Sequence, residues 1–222
     1  MQRTRVEVKG DIFHKDPFSS DLGRHVVGEG LRLLINLGFE QFTFKKLAQA
    51  IGCTESAIYR YFENKHKLLL YLHAWYWGYL EQNLVFAIAN LDDAKKKLEI
   101  AVNILVNGPI FTKNDFIDPI SLRQVLTDES SKALMTKAVD EEDQMGCFDC
   151  YYKLGDRIAG IIREINPAYP YPKTLVSTVM ESSLTQSYYA KHLPGLTDGQ
   201  VGEDARVGFF HDLVFKSIQN EN

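Results

Sequence analysis

Along most of this chain, apolar residues recur at the three-to-four-residue interval of a helix that buries one face. Ahead of that pattern, Thr4, Val6 and Val8 alternate with Arg3, Arg5, Glu7 and Lys9, a strand-like period that ends at the turn-forming pair Gly10-Asp11. Residues 1–18 are therefore read as an N-terminal arm. It is either a short pinned strand or a loose tail, and a loose tail is the expectation at a terminus. From Ser19 the period becomes helical. Ser19, Ser20 and Asp21 are all good N-cap residues; Leu22, Val26, Leu31, Leu34 and Ile35 follow at helical spacing, and Gly38 ends this first helix. Thr43 caps a second helix whose apolar face is Phe44, Leu47, Ala48 and Ile51, and Gly52 breaks it. Thr54 caps a third, Glu55 to Tyr61, and Asn64 a fourth that runs to about Asn90.

The remainder reads the same way. A helix over Asp92 to Asn107 stops at Gly108-Pro109, and Asp118-Pro119 opens a short one with proline at its first position. Ser130 to Ile165 reads as one long helix, interrupted near Gly146 or Gly155. A stiff connector, Asn166 to Pro172, leads to helices over Lys173–Leu193 and Glu203–Ile218. No run after residue 18 has strand character. The expected fold class is all-α.

Residues 44–62 form a unit of their own: two short helices joined by a tight turn that contains glycine, which is the helix-turn-helix signature. Ala48 is small where the helices must cross, and Gly52 tolerates an unusual backbone. Leu47, Ile51, Cys53 and Ile58 are placed to form the core. Thr54, Glu55, Ser56, Tyr59 and Arg60 fall on the outer face of the second helix or at its start, where a DNA-reading helix meets the major groove. Charge agrees with this. Residues 1–67 carry 11 Lys/Arg against 8 Asp/Glu, whereas the whole chain has a net charge of −4. A mildly basic head on an acidic body suits a DNA reader.

The combined pattern Gly30-Leu31-x-Leu33-Leu34, Gly38-Phe39, Phe42-Thr43-Phe44-x-x-Leu47-Ala48, Ile51-Gly52, Ala57-Ile58-Tyr59-x-Tyr61-Phe62, Asn64-Lys65 and Leu68-Leu69 resembles the N-terminal domain of the TetR (tetracycline-repressor-like) family. The likeness covers about a fifth of the chain; beyond it, only length and helical character agree. The resemblance implies that Thr43 contacts a phosphate and that Thr54, Glu55, Ser56, Tyr59 and Tyr61 lie at the groove and backbone. It also implies that Lys65 grips a phosphate at the start of the fourth helix. Hydroxyls and amides at helix N-termini suit phosphate oxygens. Arg60 is a candidate for a guanine contact or a backbone contact. Glu55 departs from the family, which often has a lysine, arginine or small residue there. It either accepts from cytosine or merely suits the positive end of its helix, and the second reading is preferred.

The domain plan is then an arm at 1–18, a three-helix helix-turn-helix DNA-binding domain at 19–67, and a helical bundle at 68–222 for effector binding and dimerisation. Small residues Ser182, Ser183, Ser187 and Ala190 on one late helix, and Val207, Phe210, Leu213, Val214 and Ile218 on the last, are expected to build a four-helix dimer interface. Aromatic residues of the fourth helix (Tyr71, Trp75, Tyr76, Trp77, Tyr79), and Phe148, Tyr151, Tyr152, Tyr188, Tyr189, Phe209 and Phe210 beyond it, either wall a ligand pocket or form ordinary core.

Other classes find little support. The apolar stretch from Leu68 to Leu80 is shorter than the roughly 20 residues a membrane span needs, and the N-terminus lacks an apolar signal core. The expected location is the cytoplasm. Cys147-x-x-Cys150 is a lone motif with no strand before it, and neither metal nor cofactor is expected. There is no nucleophile elbow or phosphate loop, so no enzyme is expected. The expected function is a homodimeric transcriptional regulator of double-stranded DNA, released from a palindromic operator by an unidentified small molecule. The alternative is a protein of the same fold that binds a ligand or partner and no longer binds DNA.

Overall fold

A computed structural model of the chain describes residues 6–8, 11–112, 117–198 and 203–219, and among these it contains ten α-helices and no strand. They are α1 (Asp21–Gln41), α2 (Phe44–Ile51), α3 (Glu55–Tyr59), α4 (Lys65–Ile88), α5 (Ala94–Asn107), α6 (Pro119–Leu134), α7 (Val139–Gln144), α8 (Asp149–Ile165), α9 (Pro172–His192) and α10 (Glu203–Ser217). Among the described residues, no helix is long and apolar enough to cross a membrane.

Side-chain caps fix most of the starts. The Ser20 hydroxyl accepts from the Gly23 amide at 3.2 Å, Thr43 from Lys46 at 3.2 Å and Thr54 from Ala57 at 3.3 Å. Asn64 Oδ1 accepts from the Lys67 amide at 2.9 Å, and Asp118 caps α6 ahead of Pro119. Each cap satisfies an amide that the helix itself leaves without a partner.

Two compact units divide the chain: residues 1–78 with 112–150, and residues 79–111 with 151–222. The helix-turn-helix is thus packed within a unit larger than residues 19–67, one that also includes α6, α7 and the first half of α4. In this unit Leu47, Ile58, Phe62, Leu68, Trp75 and Leu122 are fully buried. The arm contributes too: Val6, Val8 and Ile12 are buried, and the amide of His14 donates to the Tyr61 carbonyl at 2.9 Å. Its described part is therefore packed, though not as a strand. Arg3 and Arg5 lie outside the described residues.

The aromatic side chains of α4 take the core reading. Tyr71, Trp75, Tyr76, Trp77 and Tyr79 are all buried, and Tyr71 receives Phe13 and Phe62 edge-on at 5.7 and 5.4 Å. In the second unit, α5, α8, α9 and α10 line a small, partly open hollow whose side chains are all aliphatic, among them Leu98, Val102, Ile158, Val176 and Val214. Phe210, Val214 and Ile218, expected to face a partner subunit, are buried within this chain. Glu81 is buried as well and pairs with Arg157 at 2.8 Å.

The expected long helix over 130–165 is three pieces. α6 runs on to Leu134, Met135 leaves helical geometry (φ −94°, ψ 60°), and Gly146 turns the chain again at φ 77°. Gly155 stays inside α8. The neighbouring Cys147 and Cys150 form no disulfide, and burial pushes the Cys147 thiol up, away from the reactive thiolate.

Gly52 ends α2 in the left-handed region (φ 75°, ψ 37°), with its amide bonded to Ala48 O at 2.9 Å. A Cβ here would meet nothing within 4 Å, so backbone strain alone sets the cost of a side chain. Gly52→Ala is expected to destabilise the chain by roughly 1–2 kcal/mol, read as a lower urea midpoint. An unchanged midpoint would refute the strain assignment.

Candidate nucleic-acid interface

The site is built from α2 and α3. Ala48 O accepts from both Gly52 and Cys53 (2.9 and 3.0 Å), which closes the turn tightly enough for Thr54 to start α3 at once. α3 is held from below by Ile58, its one buried residue, and from the side by Tyr59, whose ring meets Phe44 of α2 edge-on at 5.2 Å. Leu47 and Ala48 are buried as expected, whereas Ile51 and Cys53 are only half-buried.

This scaffold leaves six of the expected contact residues exposed. Thr43, Thr54, Glu55, Ser56, Tyr59 and Arg60 are all exposed, Tyr59 at 48%. The two threonine hydroxyls act as caps by accepting, and a hydroxyl that accepts still has its own proton to donate to a phosphate oxygen. Glu55 is the first residue of α3, next to its cap, where a carboxylate complements the helix dipole.

Two expected contacts point elsewhere. Tyr61 is 4% exposed, and its hydroxyl shares a hydrogen bond with Ser20 Oγ at 2.7 Å. Lys65 donates to the carbonyls of Phe39, Glu40 and Phe42 at 2.8, 3.3 and 3.3 Å and sits 4.5 Å from the Phe39 ring centroid. Its three donors thus satisfy the carbonyls that end α1, and a phosphate would have to compete for them. In this structure both side chains are engaged within the fold. Each already serves the fold.

Sequence reasoning also passed over Lys45 and Lys46 in the first turn of α2. Both are exposed, and Lys46 Nζ donates to Gln41 O at 2.8 Å. Their position beside Thr43 was the available signal.

The end of α1 has a second support. Gly38 departs from helical geometry (φ 72°, ψ 164°), and the Phe39 amide that follows donates to the buried Glu129 carboxylate of α6 at 2.8 Å. Lys132 joins Glu129 to Glu40, at 2.7 and 3.1 Å. At the start of α4, Glu142 of α7 accepts from Lys67 at 3.1 Å and lies 3.0 Å from His66 Nε2. The start of α4 and the end of α1 are therefore each tied to a helix outside residues 19–67.

Residues 27–72 match the family model described as bacterial regulatory proteins, tetR family. The chain carries a tetR-family DNA-binding domain. No curated protein matches the chain by sequence. Solved structures with a similar fold include the fatty acid degradation regulator FadR from Bacillus halodurans, at 15% identity and a TM-score of 0.61, covering 89% of this chain and 95% of that one. A second, from Saccharomonospora viridis, was assigned as a transcriptional regulator and solved with choline; it has 15% identity and a TM-score of 0.57, covering 86% and 94% of the two chains. AibR, solved with isovaleryl coenzyme A and operator DNA, has 17% identity and a TM-score of 0.54, covering 84% and 97%. At these identities the likeness establishes the fold. The region matched by the tetR-family model covers most of α1, all of α2 and α3, and the first turns of α4.

Proposed function

We propose that this protein is a homodimeric transcriptional repressor that binds a palindromic operator through α2 and α3 and releases it when a small molecule binds the helical body. The observation that carries the reading is the set of exposed polar and aromatic residues on and around α3, held on a scaffold whose apolar residues are buried beneath it. The fold likeness to AibR, solved with operator DNA, supports the same use of this surface.

Assembly follows from surface left over. With Phe210, Val214 and Ile218 buried in the chain's own second unit, the apolar surface near the C-terminus is Phe209 at 57%, Leu196 at 62% and Leu193 at 46% exposure. These exposed residues are our proposed contact with a second copy. A twofold dimer sets two copies of α3 about one DNA turn apart, roughly 34–36 Å. An effector that favours one spacing of the two heads weakens DNA binding by the same factor with which DNA weakens effector binding.

Footprinting on the DNA upstream of this protein's own gene tests the reading. Two protected half-sites related by a twofold axis are expected. Tyr59→Ala is expected to weaken binding about tenfold or more, since losing a well-packed aromatic contact costs on the order of 1–2 kcal/mol. A single unsymmetrical footprint would contradict the dimer, and full affinity in Tyr59→Ala would remove α3 as the reading element.

A second reading keeps the fold and drops DNA. It is favoured by the engagement of Tyr61 and Lys65 within the fold, together with the exposed carboxylate of Glu55. Salt-insensitive, sequence-blind behaviour on the upstream DNA would favour it.

A further inference from the structure

The segment that precedes α1 is pinned against the helix-turn-helix, and it presents charge beside α3. Ile12 and Pro17 are buried, while His14 and Lys15 between them are exposed. The His14 amide donates to the Tyr61 carbonyl at 2.9 Å, and Lys15 Nζ stands 5.6 Å from the centroid of the Tyr61 ring. Phe13 and Phe18 anchor the segment on Tyr71, at 5.7 and 6.3 Å between ring centroids. Asp16, next in sequence, has its carboxylate turned to the Phe18 amide at 3.0 Å. No carboxylate of a described residue pairs with Lys15 in the way that Asp21 pairs with Arg24 or Glu29 with Arg32.

The position is informative. Tyr61 follows the exposed pair Tyr59-Arg60 directly, which brings Lys15 next to the surface proposed to meet DNA. Here its hydroxyl is bonded to Ser20 and its ring lies under Lys15. A cation over an aromatic face is held in place without being neutralised. We propose that Lys15 contacts a DNA phosphate just beyond the end of α3, so that residues 11–15 are part of the DNA interface. The inference rests on the regulator reading. It adds a contact from outside the helix-turn-helix, at a place where the charge of Glu55 on α3 leaves flanking cations to supply the attraction.

Phosphate contacts are counted by salt. Each one lost reduces the slope of log K against log salt by about 0.9, and it weakens specific and random DNA alike. The experiment is a fluorescence anisotropy titration of the full chain with the upstream DNA and with a scrambled duplex, over a range of potassium chloride. Lys15→Gln is expected to lower the slope by about 0.9 on both duplexes, with the thermal midpoint unchanged, and Lys15→Arg to restore it. An unchanged slope in Lys15→Gln, with the wild type binding normally, overturns this contact and leaves the regulator reading standing. Absence of salt-dependent binding by the wild-type chain overturns both.

Discussion

Lowering the pH from 7 to 5 is expected to cost the folded chain about 2 kcal/mol through His73 alone, at about 1.4 kcal/mol per pH unit once the pH is below the unfolded-state value. The side chain is 1% exposed, and its Nε2 accepts from the indole N–H of Trp77 at 2.9 Å. The ring is therefore neutral in the fold. Burial pushes its pKa down from 6.5 to about 3. Above pH 6.5 neither state binds the proton and stability is flat with respect to this group. Between 6.5 and about 3 the unfolded chain takes up a proton that the folded chain refuses, so stability falls as the pH falls. Carboxylates with lowered pKa, such as Glu29 and Asp118, lose their contributions only in a more acidic range. His73→Gln keeps an acceptor for Trp77 and cannot titrate. Urea unfolding of both proteins from pH 4.5 to 7.5 is expected to show the slope in the wild type and its absence in the variant. Parallel curves would contradict the assignment.

Ile58→Ala is expected to cost about 2–5 kcal/mol, the usual range for removing most of a fully buried aliphatic side chain. Its consequence should exceed its share of the core. α3 has five residues, far fewer than an isolated helix needs to persist in water, and Ile58 is the only one of them that is buried. The Tyr59–Phe44 contact is its other tie to α2. Without Ile58 the reading helix loses its seat before the rest of the first unit loses its core. Hydrogen exchange is expected to show early loss of protection at Tyr61 and Phe62, whose amides bond to Ile58 O at 2.8 and 3.2 Å, ahead of amides in α4. Ile58→Val, which keeps the branch, should cost only about 0.5–1.5 kcal/mol. Destabilisation below 1 kcal/mol by Ile58→Ala would mean that α3 is held some other way.

The features legible in the sequence were those decided by neighbours in the chain. Ser20, Thr43, Thr54, Asn64 and Asp118 cap the helices they precede because a capping oxygen reaches amides two or three residues ahead. Gly52 could be placed for the same local reason. The breaks over 135–148 were legible only in part: Gly146 marks one, but the break at Met135 has no glycine or proline to announce it. What no local pattern shows is decided at a distance. Tyr61 is turned inward by Ser20, and Lys65 by carbonyls more than twenty positions earlier. No local pattern distinguishes a lysine that grips phosphate from one that closes the end of a helix. The last helix taught the same lesson in reverse, because a chain's own core and a partner subunit ask for the same apolar stripe.

The most direct test of the account is an anisotropy titration of the wild-type chain against the DNA upstream of its own gene and against a scrambled duplex, at 50 and 200 mM salt. The account predicts much tighter binding to the upstream DNA, with affinity on both duplexes falling steeply as salt rises. Equal, weak and salt-insensitive binding to the two would contradict it, and would mean that the surface around α3 no longer serves DNA.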